Sequence, residues 1–187
     1  RGFVMNRFLK RAWAEIDLDA LEHNYSEIKK LAKGKDILAV VKANAYGHDD
    51  KAVCLKLQEL GVKYYGVSNL WEGEKLRCHG ITGTILTFGY TDEDYFDELL
   101  EYGITQTAGS VQYAKQLSDY AVSKGVKLPV HIKVNTGMTR VGIDSQQEML
   151  DILAMPGLDC KAAYTHFAAA DSLDPSDVEY TDRQQEK

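Results

Sequence analysis

Three short stretches hold side chains able to carry covalent or proton-transfer chemistry. In 39–50, "AVVKANAYGHDD", Lys42 ends an apolar run and is followed by Tyr46, Gly47 and His48. An amine rooted in an apolar strand loses solvation, which favours the neutral nucleophile that Schiff-base chemistry needs. The plainer reading is a strand-end lysine whose ammonium snorkels to water. In 133–142, "KVNTGMTRVG", Lys133 and Asn135 precede Arg140, which is bracketed by Gly137 and Gly142. Glycines on both sides let the backbone approach closely and hold a guanidinium in place for a carboxylate or a cofactor heteroatom; a solvated loop arginine fits the same pattern. In 164–171, "YTHFAAAD", His166 lies among aromatic and small residues, where a histidine satisfied within a core competes with a catalytic one.

Such residues need a scaffold that gathers distant segments. The pattern "WAEIDL" at 13–18 predicts a short strand, with Asp19 as the N-cap of a helix carrying Leu21, Ile28 and Leu31 on one face and ending at Gly34. Strands are expected at 36–42, 63–68, 84–89, 104–108, 128–135 and 158–167. Helices are expected near 50–60, at 70–80 (weakened by Gly73), 92–103, 110–125 and 145–155, and from about Pro175. Regular βα alternation implies parallel strands joined by right-handed crossovers. No GxGxxG turn follows the first buried strand, which weighs against a dinucleotide-binding doubly wound sheet. Lys42, Ser68, Asn135, Arg140 and His166 fall at or just past the ends of different strands, as in a (β/α)8 barrel where every strand feeds one mouth. The expected fold is therefore an α/β TIM-type barrel truncated after about six βα units. In this reading 1–18 form a leader and first strand, and 19–187 the partial barrel.

Composition narrows the classes. The chain has 187 residues, 44% hydrophobic and 27% charged, the balance of an ordinary globular protein. A net charge of −6, from 22 basic and 28 acidic residues, weighs against a nucleic-acid or membrane-surface partner. No run approaches the roughly 18 apolar residues of a membrane helix. "RGFVMNRFLKR" is too short and interrupted for a signal peptide. Cys54, Cys78 and Cys160 are widely separated, which predicts free thiols in a reducing cytoplasm and no metal site.

Together "RAWAEIDLDALEHNY", "VVKANAYGH", "IKVNTGMTRVG" and "YTHFAAAD" resemble, in order and spacing, the alanine racemase family, whose cofactor is pyridoxal 5′-phosphate. The resemblance implies that Lys42 holds the cofactor as an internal aldimine and then acts as acid or base on one face of the substrate Cα. It implies that Tyr46 hydrogen-bonds the cofactor phosphate and that Arg140 donates to the pyridine nitrogen. An arginine does not surrender its proton, so the ring would be a weaker electron sink. His166 matches the histidine packed beside the ring, and Lys133 a lysine that is often carbamylated. Met138 and Arg140 fall on the substrate side. Where the family has glycine after "AYGH", this chain has Asp49-Asp50, residues suited to capping the next helix.

Racemisation needs an acid/base group on each face of a planar intermediate. The resemblance implies that the second is a tyrosine of a carboxy-terminal β domain, contributed across a homodimer interface. None of the eleven tyrosines here lies in a segment matching that domain, so these residues alone are expected to be a poor racemase. The implied activity is L-/D-alanine interconversion for peptidoglycan, with serine racemase of the same family as a variant. Two alternatives are a non-catalytic barrel for pyridoxal phosphate homeostasis and a fragment that binds no cofactor. "TGMTRVG" and "AYGH" favour the racemase over the homeostasis protein.

Overall fold

The computed structural model describes residues 13–187. Six strands, β1 (Leu38–Val40), β2 (Tyr64–Val67), β3 (Thr84–Thr87), β4 (Ile104–Ala108), β5 (Leu128–Lys133) and β6 (Leu158–Tyr164), form one sheet in chain order. Every adjacent pair is parallel. A doubly wound sheet reverses its order at a switch point; this one never does, which is the succession of a (β/α)8 barrel. With six strands it is the open, truncated barrel that the alternation predicts. β1 and β6 form its borders, each paired on one side among the described residues.

Side-chain alternation divides the sheet into two faces. Ile85, Ile104, Leu128, Val130 and Ile132 are buried in the layer shared with the helices. Thr84 and Leu86 of β3, and Pro129 and His131 of β5, line the hollow inside. The intervening helices are α3 (Asp50–Glu59), α4 (Leu70–Cys78), α5 (Phe96–Glu101), α6 (Val111–Ser123) and α7 (Gln146–Leu153), with α8 (Pro175–Glu186) after β6. Their starts follow from capping chemistry. Asn69, Ser110 and Ser145 accept the N–H groups of Glu72, Tyr113 and Glu148, and Ser145 with Glu148 completes a capping box. Leu76, Leu99, Leu117 and Ile152 are almost fully buried beneath these helices, each contributing about 1.5–3 kcal/mol relative to exposure. Gly73 has a packing reason. A Cβ there would lie 3.0 Å from Ile104 Cδ1 and 3.4 Å from Ile85 Cγ2, so its absence lets α4 sit flush on the sheet.

The amino-terminal expectations need correction. Residues 13–17 carry no regular structure, and Leu18 already opens α1 (Leu18–Leu31); residues 1–12 lie outside the described ones. The cap is Asp17, not Asp19: its carboxylate accepts Asp19 N–H and Ala20 N–H, both at 2.9 Å. Tyr25 is the buried anchor of α1, whereas Ile28 and Leu31 are exposed. Expected helix 92–103 is a 3₁₀ turn, Glu93–Tyr95, followed by α5. Cys54, Cys78 and Cys160 are free. Burial first, and the Asp50 carboxylate second, push the Cys54 thiol up to about 12. No helix among the described residues is long and apolar enough to cross a membrane.

Candidate active site

A cavity of about 930 Å³ fills the hollow of the open sheet, and Lys42, Tyr46, Lys133, Met138, Arg140 and His166 all line it. Residues scattered over 125 positions of chain thus meet in one place.

Lys42 and Tyr46 arrive from β1. Val41 N–H donates to Gly66 O at 2.9 Å, which keeps the chain on the sheet one residue beyond the strand. The chain then makes a single helical turn, α2 (Lys42–Tyr46), in which Ala43, Asn44, Ala45 and Tyr46 all have φ between 51° and 56°. Four consecutive left-handed residues other than glycine are costly, about 1–2 kcal/mol each. Anchors hold the turn. Ala43 N–H donates to Glu72 Oε1 at 2.8 Å, and Asn44 Oδ1 accepts Asp50 N–H at 3.1 Å. Asp50, 3% exposed, pairs with Lys75 at 2.8 Å. Lys42 is half-buried at the cavity wall, and Tyr46 stands at the mouth with 59% exposure.

The departure at Asp49 has a backbone explanation. Asp49 has φ 69°, a value suited to glycine. Its carboxylate accepts Ala52 N–H at 3.0 Å and caps α3, so the side chain returns in capping what it loses in backbone freedom.

Lys133 closes β5 with its ammonium drawn inward. It is buried, donates to Val134 O at 2.9 Å and lies 5.7 Å from the centre of the Tyr164 ring. Burial first, and the Arg140 cation second, hold its amine below the ordinary lysine value. Beyond it, Asn135 Oδ1 accepts the N–H groups of Gly137 and Thr139, shaping the loop that carries Met138 and Arg140. Gly142, at φ 137°, leaves no room for a side chain: a Cβ would lie 2.7 Å from Asn135 N. The close approach expected of glycines around Arg140 is therefore present. Arg140 itself is exposed at the mouth.

His166, also exposed, follows β6. Desolvation first, and then Arg140, Lys133 and Lys42, depress its imidazole; the four groups feel one another across the cavity. Helix α8 ties the two loops together. Gln184, 2% exposed, accepts Ala168 N–H at 2.9 Å and donates to Thr136 Oγ1 at 3.3 Å. Tyr180 donates to Gly137 O at 2.7 Å.

Glu72, Asp50 and Gln184 escape sequence reasoning as site residues. Glu72 reads as an acidic residue in the first turn of α4, and its bond to Ala43 spans 29 positions, outside any local pattern. The donor set is nonetheless coherent. An amine, a phenol, a guanidinium and an imidazole line one hollow, a donor set compatible with the pyridoxal 5′-phosphate that the resemblance implies.

The family described as "Alanine racemase, N-terminal domain" matches residues 16–187. The alanine racemase of Clostridium perfringens strain SM101 is 40% identical over 174 residues, covering 91% of this chain and 45% of that protein. That of Desulforamulus reducens is 40% identical over 169 residues, covering 88% and 46%. A solved Clostridium difficile alanine racemase, in complex with cycloserine, superposes with a TM-score of 0.88 at 34% identity, covering 96% of this chain and 51% of that one. The chain thus spans about half the length of the relatives it matches. With its unreversed six-strand order, its cavity residues and this match over nearly its whole length, the chain belongs to the alanine racemase N-terminal domain family.

Proposed function

We propose that these residues form the cofactor-binding half of an isomerase that interconverts L- and D-alanine with pyridoxal 5′-phosphate. The observation that carries this reading is the convergence of Lys42, Lys133, Arg140 and His166 on one cavity from three strands. Bound pyridoxal phosphate supplies the electron-withdrawing ring that makes an amino-acid Cα–H acidic.

The chain's own residues then have distinct tasks. Lys42 would hold the cofactor at its aldehyde end through Nζ, and that nitrogen would be the group that moves a proton to and from one face of the substrate Cα. The Tyr46 hydroxyl at the mouth would donate to the phosphate. Arg140, fixed by the Asn135 turn and never deprotonated, would donate to a cofactor heteroatom or to the substrate carboxylate. His166 and Met138, which wall the cavity, would lie beside the ring. Lys133 sits behind Arg140; as a carbamate it would turn from a cation repelling that guanidinium into an anion holding it. The acid/base group for the opposite face is a tyrosine outside these residues, supplied across a homodimer. A soluble cytoplasmic enzyme supplying D-alanine to peptidoglycan is the biological setting this implies.

The test has two parts. Pyridoxal phosphate followed by borohydride reduction should label Lys42, located by peptide mapping, and Lys42→Ala should remove the label. The full-length gene product should interconvert the alanine enantiomers and turn serine over more slowly. Labelling spread evenly over surface lysines would refute the cofactor assignment; faster serine turnover would refute the substrate.

A further inference from the structure

The left-handed turn between Lys42 and Tyr46 poses a physical problem of its own. Four residues in a conformation costing about 1–2 kcal/mol each persist only where surrounding contacts over-determine them. The first of them, Ala43, also needs an acceptor for its N–H, because a helical turn leaves its leading amides unpaired.

We propose that Glu72 is the positioning residue of this turn: by accepting Ala43 N–H from the far side of the β2–α4 loop, it fixes the relative placement of Lys42 and Tyr46 and hence of the aldehyde and phosphate ends of the cofactor. The inference rests on the cofactor reading above and extends it to a residue outside the cavity lining.

The two carboxylate oxygens of Glu72 have separate employment. Oε2 accepts Ser68 N–H at 2.8 Å and the Ser68 hydroxyl at 2.7 Å, a local contact like that of a capping box. Oε1 reaches instead to Ala43 at 2.8 Å. Asn69, which already accepts Glu72 N–H at 3.1 Å, caps the helix, so α4 has no need of the second oxygen. Burial opposes the Glu72 charge. The Ser68 and Ala43 donors, with the Lys42 ammonium, outweigh it and hold the carboxyl below its ordinary range. A charged acceptor makes the Ala43 bond one of the strong class. Asn44 adds a second tie, accepting Asp50 N–H and the Lys75 ammonium, but it acts on the next residue along and carries no charge.

Glu72→Gln separates the two employments. Its carbonyl can still serve Ser68, as glutamine does in a capping box, while its NH2 then faces Ala43 N–H, donor against donor. A purely local role predicts no effect. The clamp predicts that the Ala43 amide exchanges faster in the cofactor-free protein. It also predicts that pyridoxal phosphate binds roughly tenfold more weakly, the scale of one hydrogen bond to a charged group, and with less visible circular dichroism per bound cofactor. Ser68→Ala, which trims only the Oε2 side, should leave the Ala43 amide protected and cofactor affinity within about twofold. Far-ultraviolet circular dichroism checks that each full-length variant is folded. Unchanged exchange and affinity in Glu72→Gln would overturn the clamp, as would an equal loss in Ser68→Ala. Failure of the parent protein to label at Lys42 would instead strike the cofactor reading, and the exchange measurement would still decide whether Glu72 holds the turn.

Discussion

Gln184 holds Ala168 by a 2.9 Å hydrogen bond from the alanine N–H to the glutamine carbonyl, and with its other end it donates to Thr136. One buried amide on α8 thereby joins the loop that leads to Arg140 with the loop that follows His166. Replacing it with leucine of similar bulk strands the Ala168 donor. Gln184→Leu should lose about 1–3 kcal/mol of stability, the cost of a buried group left unpaired, seen as a lower urea midpoint with an unchanged slope. A loss of a few tenths would mean that the loops do not depend on this joint.

The titration of His166 reports on its cationic neighbours. Its folded value lies below the ordinary 6.5, with desolvation the larger cause and Arg140 the next. Proton-resolved NMR should show the midpoint of His166 rising in Arg140→Ala, and rising also when inorganic phosphate enters the cavity. Just below 6.5 the unfolded chain holds more protons on this imidazole than the folded one, so its contribution to stability grows as pH rises through that window. Arg140→Ala should flatten the growth. A midpoint indifferent to Arg140 would place the guanidinium away from the ring.

Lys133 offers a chemical test. Its amine, held down by burial and by Arg140, is more often neutral than that of a surface lysine and so better able to attack carbon dioxide. The neutral amine bonds the carbon, one N–H proton leaves to solvent, and a carbamate anion results. Isotope-labelled bicarbonate should give a carbamate resonance that Lys133→Arg abolishes. A spectrum identical in both proteins would leave Lys133 a cation in contact with Tyr164.

At Asp49 two effects oppose each other. Asp49→Gly relieves a left-handed backbone worth about 1–2 kcal/mol and gives up a cap worth about 1 kcal/mol, so its net change in thermal stability should be small. Asp49→Ala keeps the strain and loses the cap, and should be destabilised by about 1 kcal/mol. Should the alanine variant match the parent, the 3.0 Å bond to Ala52 N–H contributes nothing.

Much of this architecture is legible in the chain because its signals are periodic. The strand at 128–133 and the caps at Ser110 and Ser145 report local rules that the packing leaves intact, whereas the expected buried strand at 36–42 shrinks to Leu38–Val40, partly exposed at the border of the sheet. The amino-terminal strand misleads because "WAEIDL" alternates as a strand does while Asp17 is free to cap. The turn at 43–46 is illegible for a different reason. Asparagine tolerates left-handed backbone but alanine and tyrosine do not favour it, and the contact that meets the leading amide comes from Glu72, remote in sequence. The six cavity residues could be proposed from motif and resemblance. The residues that brace them could not, because bracing leaves no local signature.

The borders of the sheet carry one further meaning. Lys42 leaves the strand at one border and His166 the strand at the other, so the two stand like the tips of a caliper whose bow is the sheet itself. Each of the five strand pairings between them adds its own small rotation. The placement of Lys42 relative to His166 therefore depends on all five pairings, and a substitution deep in β3, far from either residue, can shift it.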